Sequence, residues 1–266
     1  MGLPRRACRT SCVNLLHSTA GPQAHIVLEA AAYAIGARVY WAHARQLPRP
    51  ESVVDRWVIL ACVLFGAALG SKALHALEHL GYFLHGAGAT QFLGGKSILG
   101  GLIGGTLGAE AGKRWVGWPA STGDAWVPAI AVGLMIGRVG CQLSGLWDGT
   151  FGAPTTLPWG WDYGDGIPRH PTALYEIVAV GACWALVARL PARPAGARFA
   201  AFLAGYCLIR LALEFLKPPF GGDANSGLPV ATPGGLTAIQ WTAILGLLAY
   251  LRLYRYRRQP LLATSR

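Results

Sequence analysis

Charge is what this chain has least of. Asp and Glu together number 12 in 266 residues, and all four charged types make up 13%. An ordinary soluble domain carries roughly 25%, so a surface facing water on all sides is excluded. Metal-ligand spacings among the six cysteines are also missing. Cys8 and Cys12 form a CxxxC in the N-terminal tail, while Cys62, Cys141, Cys183 and Cys207 fall singly in apolar runs, where a small buried thiol is the expected role. No metal, cofactor or structural disulfide is therefore expected. Residues 1–22 also lack the basic, apolar and small-residue order of a cleaved signal peptide, which leaves targeting to the first apolar span.

What the chain does have is apolar length. Hydrophobic residues make up 53%, and 36 Gly are spread along the chain rather than clustered. Stretches near the 20 residues needed to cross a bilayer occur at about 24–42, 57–77, 91–111, 125–143, 172–190, 199–215 and 236–253. The expected fold is an all-α integral membrane protein, with about seven transmembrane helices around a polar cavity opening outward or laterally. The expected organisation is a tail at 1–22, a transmembrane domain at 23–253 with a long outer loop at about 146–171, and a basic tail at 254–266. With seven spans, one side holds thirteen Lys and Arg, among them Arg45, Lys113, Arg189 and Arg255, against six on the other, among them Arg5, Arg169 and Lys217. The positive-inside rule then puts the C-terminus in the cytoplasm and the N-terminus outside. The net charge of +11 reads as anchoring charge, with no nucleic-acid partner implied.

Two of the few charges sit where they are most costly. Arg138 and Arg210 lie inside the fourth and sixth apolar runs, and a charge at bilayer depth costs roughly 2.5–3.5 kcal/mol on insertion scales, so such residues usually face a polar site. Both fall a few residues beyond mid-span toward the outer face. Glu29, Lys96, Glu176 and Glu214 fall at the same level, so polar groups of five spans converge there. Tyr206, Arg210 and Glu214 follow at i, i+4 and i+8 on one helix face, where Glu214 either neutralises Arg210 or joins the site.

The third span reads GGKSILGGLIGGTLGAEAG. Gly100, Gly104 and Gly108 form one GxxxG ladder and Gly101 with Gly105 a second, which suits close helix packing. Gly94 and Gly95 beside Lys96 could instead offer backbone N–H groups to a phosphate. The loop from Leu146 to Pro171 is rich in Trp, Tyr, Asp and Pro, and closes on Arg169 and His170. Such density of aromatics suits a folded loop at headgroup level.

The segments IGRVGCQLSGLWDGTFGAPTTLPWG, RHPTALYE and GYCLIRLALEFLK resemble the prolipoprotein diacylglyceryl transferase family, over about residues 24–253. The resemblance implies an enzyme of the bacterial cytoplasmic (inner) membrane. It would transfer the diacylglyceryl group of phosphatidylglycerol to the lipobox Cys of a lipoprotein precursor and release glycerol phosphate, with the bilayer as its third partner. It implies catalytic roles for Arg138 and Arg210 on the phosphoglycerol head. Arg suits this because its planar fork can grip two phosphate oxygens. His170 is either the base for the acceptor thiol or a loop-capping residue. The implied substrate-binding set adds Gly137, Gly140, Lys96, Gly100, Gly101, Arg169, Tyr206 and Glu214.

Two departures stand out. Familiar members carry His where this chain has Leu99, and Asn where it has Cys141. A base lost with Leu99 leaves a second reading, a phospholipid-binding membrane protein without catalysis. By analogy the position tolerates an imidazole, so Leu99→His is expected to fold.

Overall fold

A computed structural model describes residues 21–45, 47–48, 50, 52–79, 95–191, 194–218 and 235–258. Gly94, the start of the third apolar run at 91–94, Cys8, Cys12, and residues 1–20 and 259–266 of the two tails lie outside these. Among the described residues the architecture is all-α, with seven long helices: α1 Gly21–Ala44, α2 Val53–Glu78, α3 Ile98–Trp115, α4 Gly123–Ser144, α5 Thr172–Ala188, α6 Ala197–Glu214 and α7 Ala238–Arg258. Each corresponds to one apolar run of the sequence. The largest boundary shift is at α3, whose N-cap is Ser97, with its hydroxyl accepting from the Gly100 N–H. Lys96 therefore precedes the helix instead of riding on it.

The chain is a membrane protein, and its packing shows why water is the wrong solvent for it. α2 is long and apolar enough to cross a bilayer, as is the helical stretch Gly123–Asp148, while Thr172–Ala188 is apolar but shorter. In α2 Leu74 alone is buried, and Val54, Trp57, Leu64, Phe65 and Leu69 are exposed. A face of that size left in water forfeits about 25 cal/mol per Å² of apolar area; against lipid it costs nothing of the kind.

α4, α5 and α6 pack against one another at the centre, with α1 laid along α4 and α7 along α6. α2 pairs with α3, and both touch α7. The α2–α3 seam is built by glycine: a Cβ on Gly104 would stand 2.1 Å from the Gly66 carbonyl oxygen, and one on Gly100 2.3 Å from that of Gly70. The GxxxG ladder is thus spent on backbone contact between helices.

The start of α6 is held from a distance. Its own N-cap, Gly196, has φ 87° and offers no side chain, so Asp124 at the start of α4 does the capping. Asp124 Oδ2 accepts from Gly196 N at 2.8 Å and Oδ1 from Phe199 N at 2.9 Å. Two orphan donors of one helix are satisfied by another.

Candidate active site

Local sequence decides which side chains meet. In α6 the four-residue spacing stacks Tyr206, Arg210 and Glu214 on one face, and all three are buried. α5 begins at Thr172 and brings Glu176 inward one turn later, where it is 2% exposed. α4 delivers Arg138 to the same point.

Glu176 is the hub. Its Oε2 lies 3.0 Å from Arg138 Nε and 3.0 Å from Arg210 Nη1, while the Tyr206 hydroxyl donates to Oε1 at 2.9 Å. Arg210 Nη2 also donates to Glu214 Oε2 at 3.3 Å. The Arg138 contact is an ion pair only, because its Nε–H is not aligned on the carboxylate and finds no hydrogen-bond partner among the described residues. Glu78, at the end of α2, and Lys217, just past α6, lie within electrostatic reach of Arg210 and Glu214.

The electrostatics differ from a bare positive well. Arg138 and Arg210 are formally balanced by Glu176 and Glu214, which offsets the cost of burying them. Each guanidinium carries five N–H donors in a fixed fork, and the carboxylates engage only part of them. What remains is a pair of oriented donor arrays on separate helices, suited to an anion with several acceptor oxygens.

A second set of polar groups extends from Arg138 toward α1. Arg138 Nη1 is 3.6 Å from Cys141 Sγ. Beyond it His25 Nδ1 lies 3.5 Å from Asp148 Oδ1, and His25 Nε2 3.8 Å from Glu29 Oε2. Glu29 is ion-paired with Lys96 and accepts from Tyr33 at 3.4 Å. The outer-level convergence expected for Glu29, Lys96, Glu176 and Glu214 thus resolves into two connected clusters.

Other predicted site residues lie apart from Glu176. Arg169 is committed to a small hairpin, in which β1, Trp161–Asp162, pairs with β2, Pro168–Arg169. Both Asp165 oxygens accept from it at 2.7 Å, and its guanidinium sits 5.0 Å from the centre of the Phe151 ring. That pairing, chiefly the Arg169 hydrogen bonds, holds the Asp165 carboxyl below its usual range. His170 faces Tyr175, with Nδ1 3.3 Å from the hydroxyl, and Tyr175 also accepts from Trp159 Nε1 at 2.8 Å. The loop is anchored inward by Tyr163, 3% exposed, which donates to Gln142 Oε1 at 3.1 Å; burial pushes its hydroxyl up to about 12.

Among the predicted glycines, Gly100 is enclosed by α2, Gly101 faces Ala67 and Ser71, and a Cβ on Gly137 would meet nothing within 4 Å. Gly140 lets α1 approach, since a Cβ there would be 3.4 Å from His25 Cα. Leu99 is 2% exposed in the apolar core. Sequence reasoning noticed Glu176 but not its central position, and passed over His25. The GRxG glycine at 140 was the available signal for His25, because a small residue beside Arg138 admits a neighbouring helix.

Residues 24–256 match the family model described as prolipoprotein diacylglyceryl transferase. The chain is 35% identical over 209 residues to the phosphatidylglycerol–prolipoprotein diacylglyceryl transferase of Bordetella parapertussis, covering 74% of this chain and 76% of that protein. To the protein of the same name from Nitrosomonas europaea it is 34% identical over 230 residues, 80% of this chain and 79% of that one. The Geobacter sulfurreducens protein so named is 39% identical over 142 residues, and there the match spans 52% of the relative's length. The Arg138, Glu176 and Arg210 cluster lies wholly within the matched region, and the chain belongs to the prolipoprotein diacylglyceryl transferase family.

Proposed function

We propose that this chain transfers the diacylglyceryl group of phosphatidylglycerol to the cysteine thiol of a prolipoprotein, as a multi-pass enzyme of the bacterial cytoplasmic membrane. The observation that carries the proposal is the meeting of Arg138 and Arg210 on Glu176, in a family whose named members act on these two substrates. In the reaction, the acceptor sulfur forms a bond to the glyceryl carbon as the bond from that carbon to the phosphate oxygen breaks. The thiol gives up its proton, the electron pair of the broken bond stays on that oxygen, and glycerol phosphate departs. Donor groups aimed at the departing phosphate lower the barrier most when they are fixed beforehand, and Glu176 fixes both guanidiniums.

In this reading the phosphoglycerol head rests against the two arginines in a cavity that opens outward or sideways to the outer leaflet. The lipobox segment enters from the same side, beneath the loop at 146–171, with the N-terminus outside and the C-terminus in the cytoplasm. The test is a transfer assay with phosphatidylglycerol and a peptide bearing a lipobox Cys, comparing the natural chain with Arg138→Ala and Arg210→Ala. Thioether product lost in both variants supports the reading; product formed equally by all three refutes it.

The buried Leu99 favours one second reading. With an apolar side chain where the family resemblance implies an imidazole, the same cluster could bind phospholipid without transferring it. Lipid retained through purification, with no thioether product in the natural chain, would select this alternative.

A further inference from the structure

We propose that His25, Cys141 and Asp148 form a binding site for a divalent zinc-class cation, a property independent of the transfer reaction. The three residues come from α1, from the last turn of α4 and from the 3-10 turn Gly145–Asp148 that follows it. No spacing along the chain announces them, so a metal was not expected from the order of residues. In the fold, one ligand atom from each lies within 4.8 Å of the others. Tetrahedral zinc with bonds of about 2.0–2.3 Å holds its ligands roughly 3.3–3.8 Å apart, so side-chain adjustments of an ångström or so close the site.

The donor set suits the ion. Thiolate, imidazole and carboxylate are the ligand types that borderline-soft zinc takes, whereas magnesium or calcium would want oxygen alone. Three protein ligands leave one position open to water or an incoming ligand.

Further observations point to a ligand here. His25 Nδ1, the nitrogen facing Asp148, is fully covered and has no hydrogen-bond partner among the described residues. Its other nitrogen faces the Glu29 carboxylate at 3.8 Å, the arrangement by which outer carboxylates orient metal-bound histidines. The ring is held edge-on by Trp147 at 6.1 Å. Asp148 is similarly prepared, because Thr150 donates to Oδ2 at 2.6 Å and leaves Oδ1 toward His25.

The charges close as well. The neighbouring cations are already paired, Arg138 with Glu176 and Lys96 with Glu29. A divalent ion added to one thiolate and one carboxylate therefore leaves the region neutral. Arg138 Nη1, 3.6 Å from Sγ, keeps its place as a donor to the thiolate.

The experiment uses the full chain purified in detergent, loaded with zinc or cobalt(II) and desalted. About one zinc per chain is expected, together with a cobalt spectrum showing sulfur-to-metal charge transfer and intense tetrahedral bands. Cys141→Asn, which removes the thiolate, should abolish the charge-transfer band and weaken retention at least tenfold. His25→Gln and Asp148→Asn should weaken it too, while Cys207→Ala should leave it unchanged. A natural chain that retains no more metal than Cys141→Asn, or a cobalt complex without the thiolate band, overturns the proposal. These readouts need no transfer activity, so the two proposals fail separately.

Discussion

Arg138 Nε and Arg210 Nη1 both lie 3.0 Å from a single atom, Oε2 of Glu176. Two like charges on different helices are held together by one carboxylate, so the spacing of the guanidiniums is set by a residue that needs no contact with substrate. A guanidinium displaced by an ångström can cost two orders of magnitude in rate. The relative placement of the two guanidiniums on α4 and α6 therefore depends on α5.

Glu176→Gln is accordingly expected to cost stability as well as activity. The amide keeps the shape but loses the charge that two buried cations share, and breaking a buried pair by removing one partner costs about 3–5 kcal/mol. Thermal unfolding in detergent should show a lower midpoint, alongside a loss of transfer of at least a hundredfold. A variant that melts like the natural chain would show that Glu176 is dispensable as a counter-ion.

Arg210→Lys should impair transfer about tenfold or more while the protein still folds. Arg210 spans two carboxylates with separate nitrogens, Nη1 to Glu176 and Nη2 to Glu214. An ammonium is a point charge on a flexible stem and does not hold both contacts in the same plane. Turnover equal to the natural chain would argue against forked recognition at this position.

The Asp165 and Arg169 pair gives a pH dependence of definite sign. The folded Asp165 carboxyl titrates below its ordinary value near 3.9, chiefly through its hydrogen bonds from Arg169. Its stabilising contribution is therefore complete above that ordinary value and fades as pH falls through the lowered one. The Ile167 N–H donates to Asp165 Oδ1 at 3.2 Å, so its protection from hydrogen exchange, taken relative to the intrinsic rate at each pH, should fall on acidification in the natural chain and be less pH-dependent in Asp165→Asn. Equal acid sensitivity in both would place the effect elsewhere in the loop.

Much of the fold was legible because each helix carries its own apolar run, and a span of twenty residues needs no tertiary information to be seen. The partnership of Arg210 with Glu214 was legible for the same reason, being four residues apart on one helix. The joining of Arg138 to Arg210 through Glu176 was not, since it depends on how α4, α5 and α6 rotate about their axes. Gly100 was ambiguous in sequence, because a small residue serves backbone packing and ligand approach equally; only the position of Gly70 shows what lies against it. His170 was open between base and loop cap in sequence, and the fold adds a Tyr175 hydroxyl 3.3 Å from its Nδ1, a contact that favours neither role.

Asp124→Ala should destabilise the bundle by about 0.5–2 kcal/mol, the usual cost of a lost helix cap. Its two oxygens serve Gly196 and Phe199 at the end of α6 remote from Arg210. The expected signature is a lower melting midpoint with transfer per folded molecule unchanged. A selective loss of turnover would mean that the start of α6 transmits its position to the arginine.

Leu99→His bears most directly on how this chain relates to its family. By resemblance the position tolerates an imidazole, but here Leu99 is 2% exposed and belongs to an apolar cluster with Leu74, Tyr206 and Cys207. A buried polar ring without a hydrogen-bond partner costs about 1–3 kcal/mol. The variant should therefore melt lower and gain no activity, in contrast to the sequence expectation. The α2–α3 seam is too tight to yield, because Gly100 already touches the Gly70 backbone and Leu74. Turnover that rises at an unchanged melting point would show that the new imidazole reaches the arginines, and that Leu99 marks a lost catalytic position and not a repacked core.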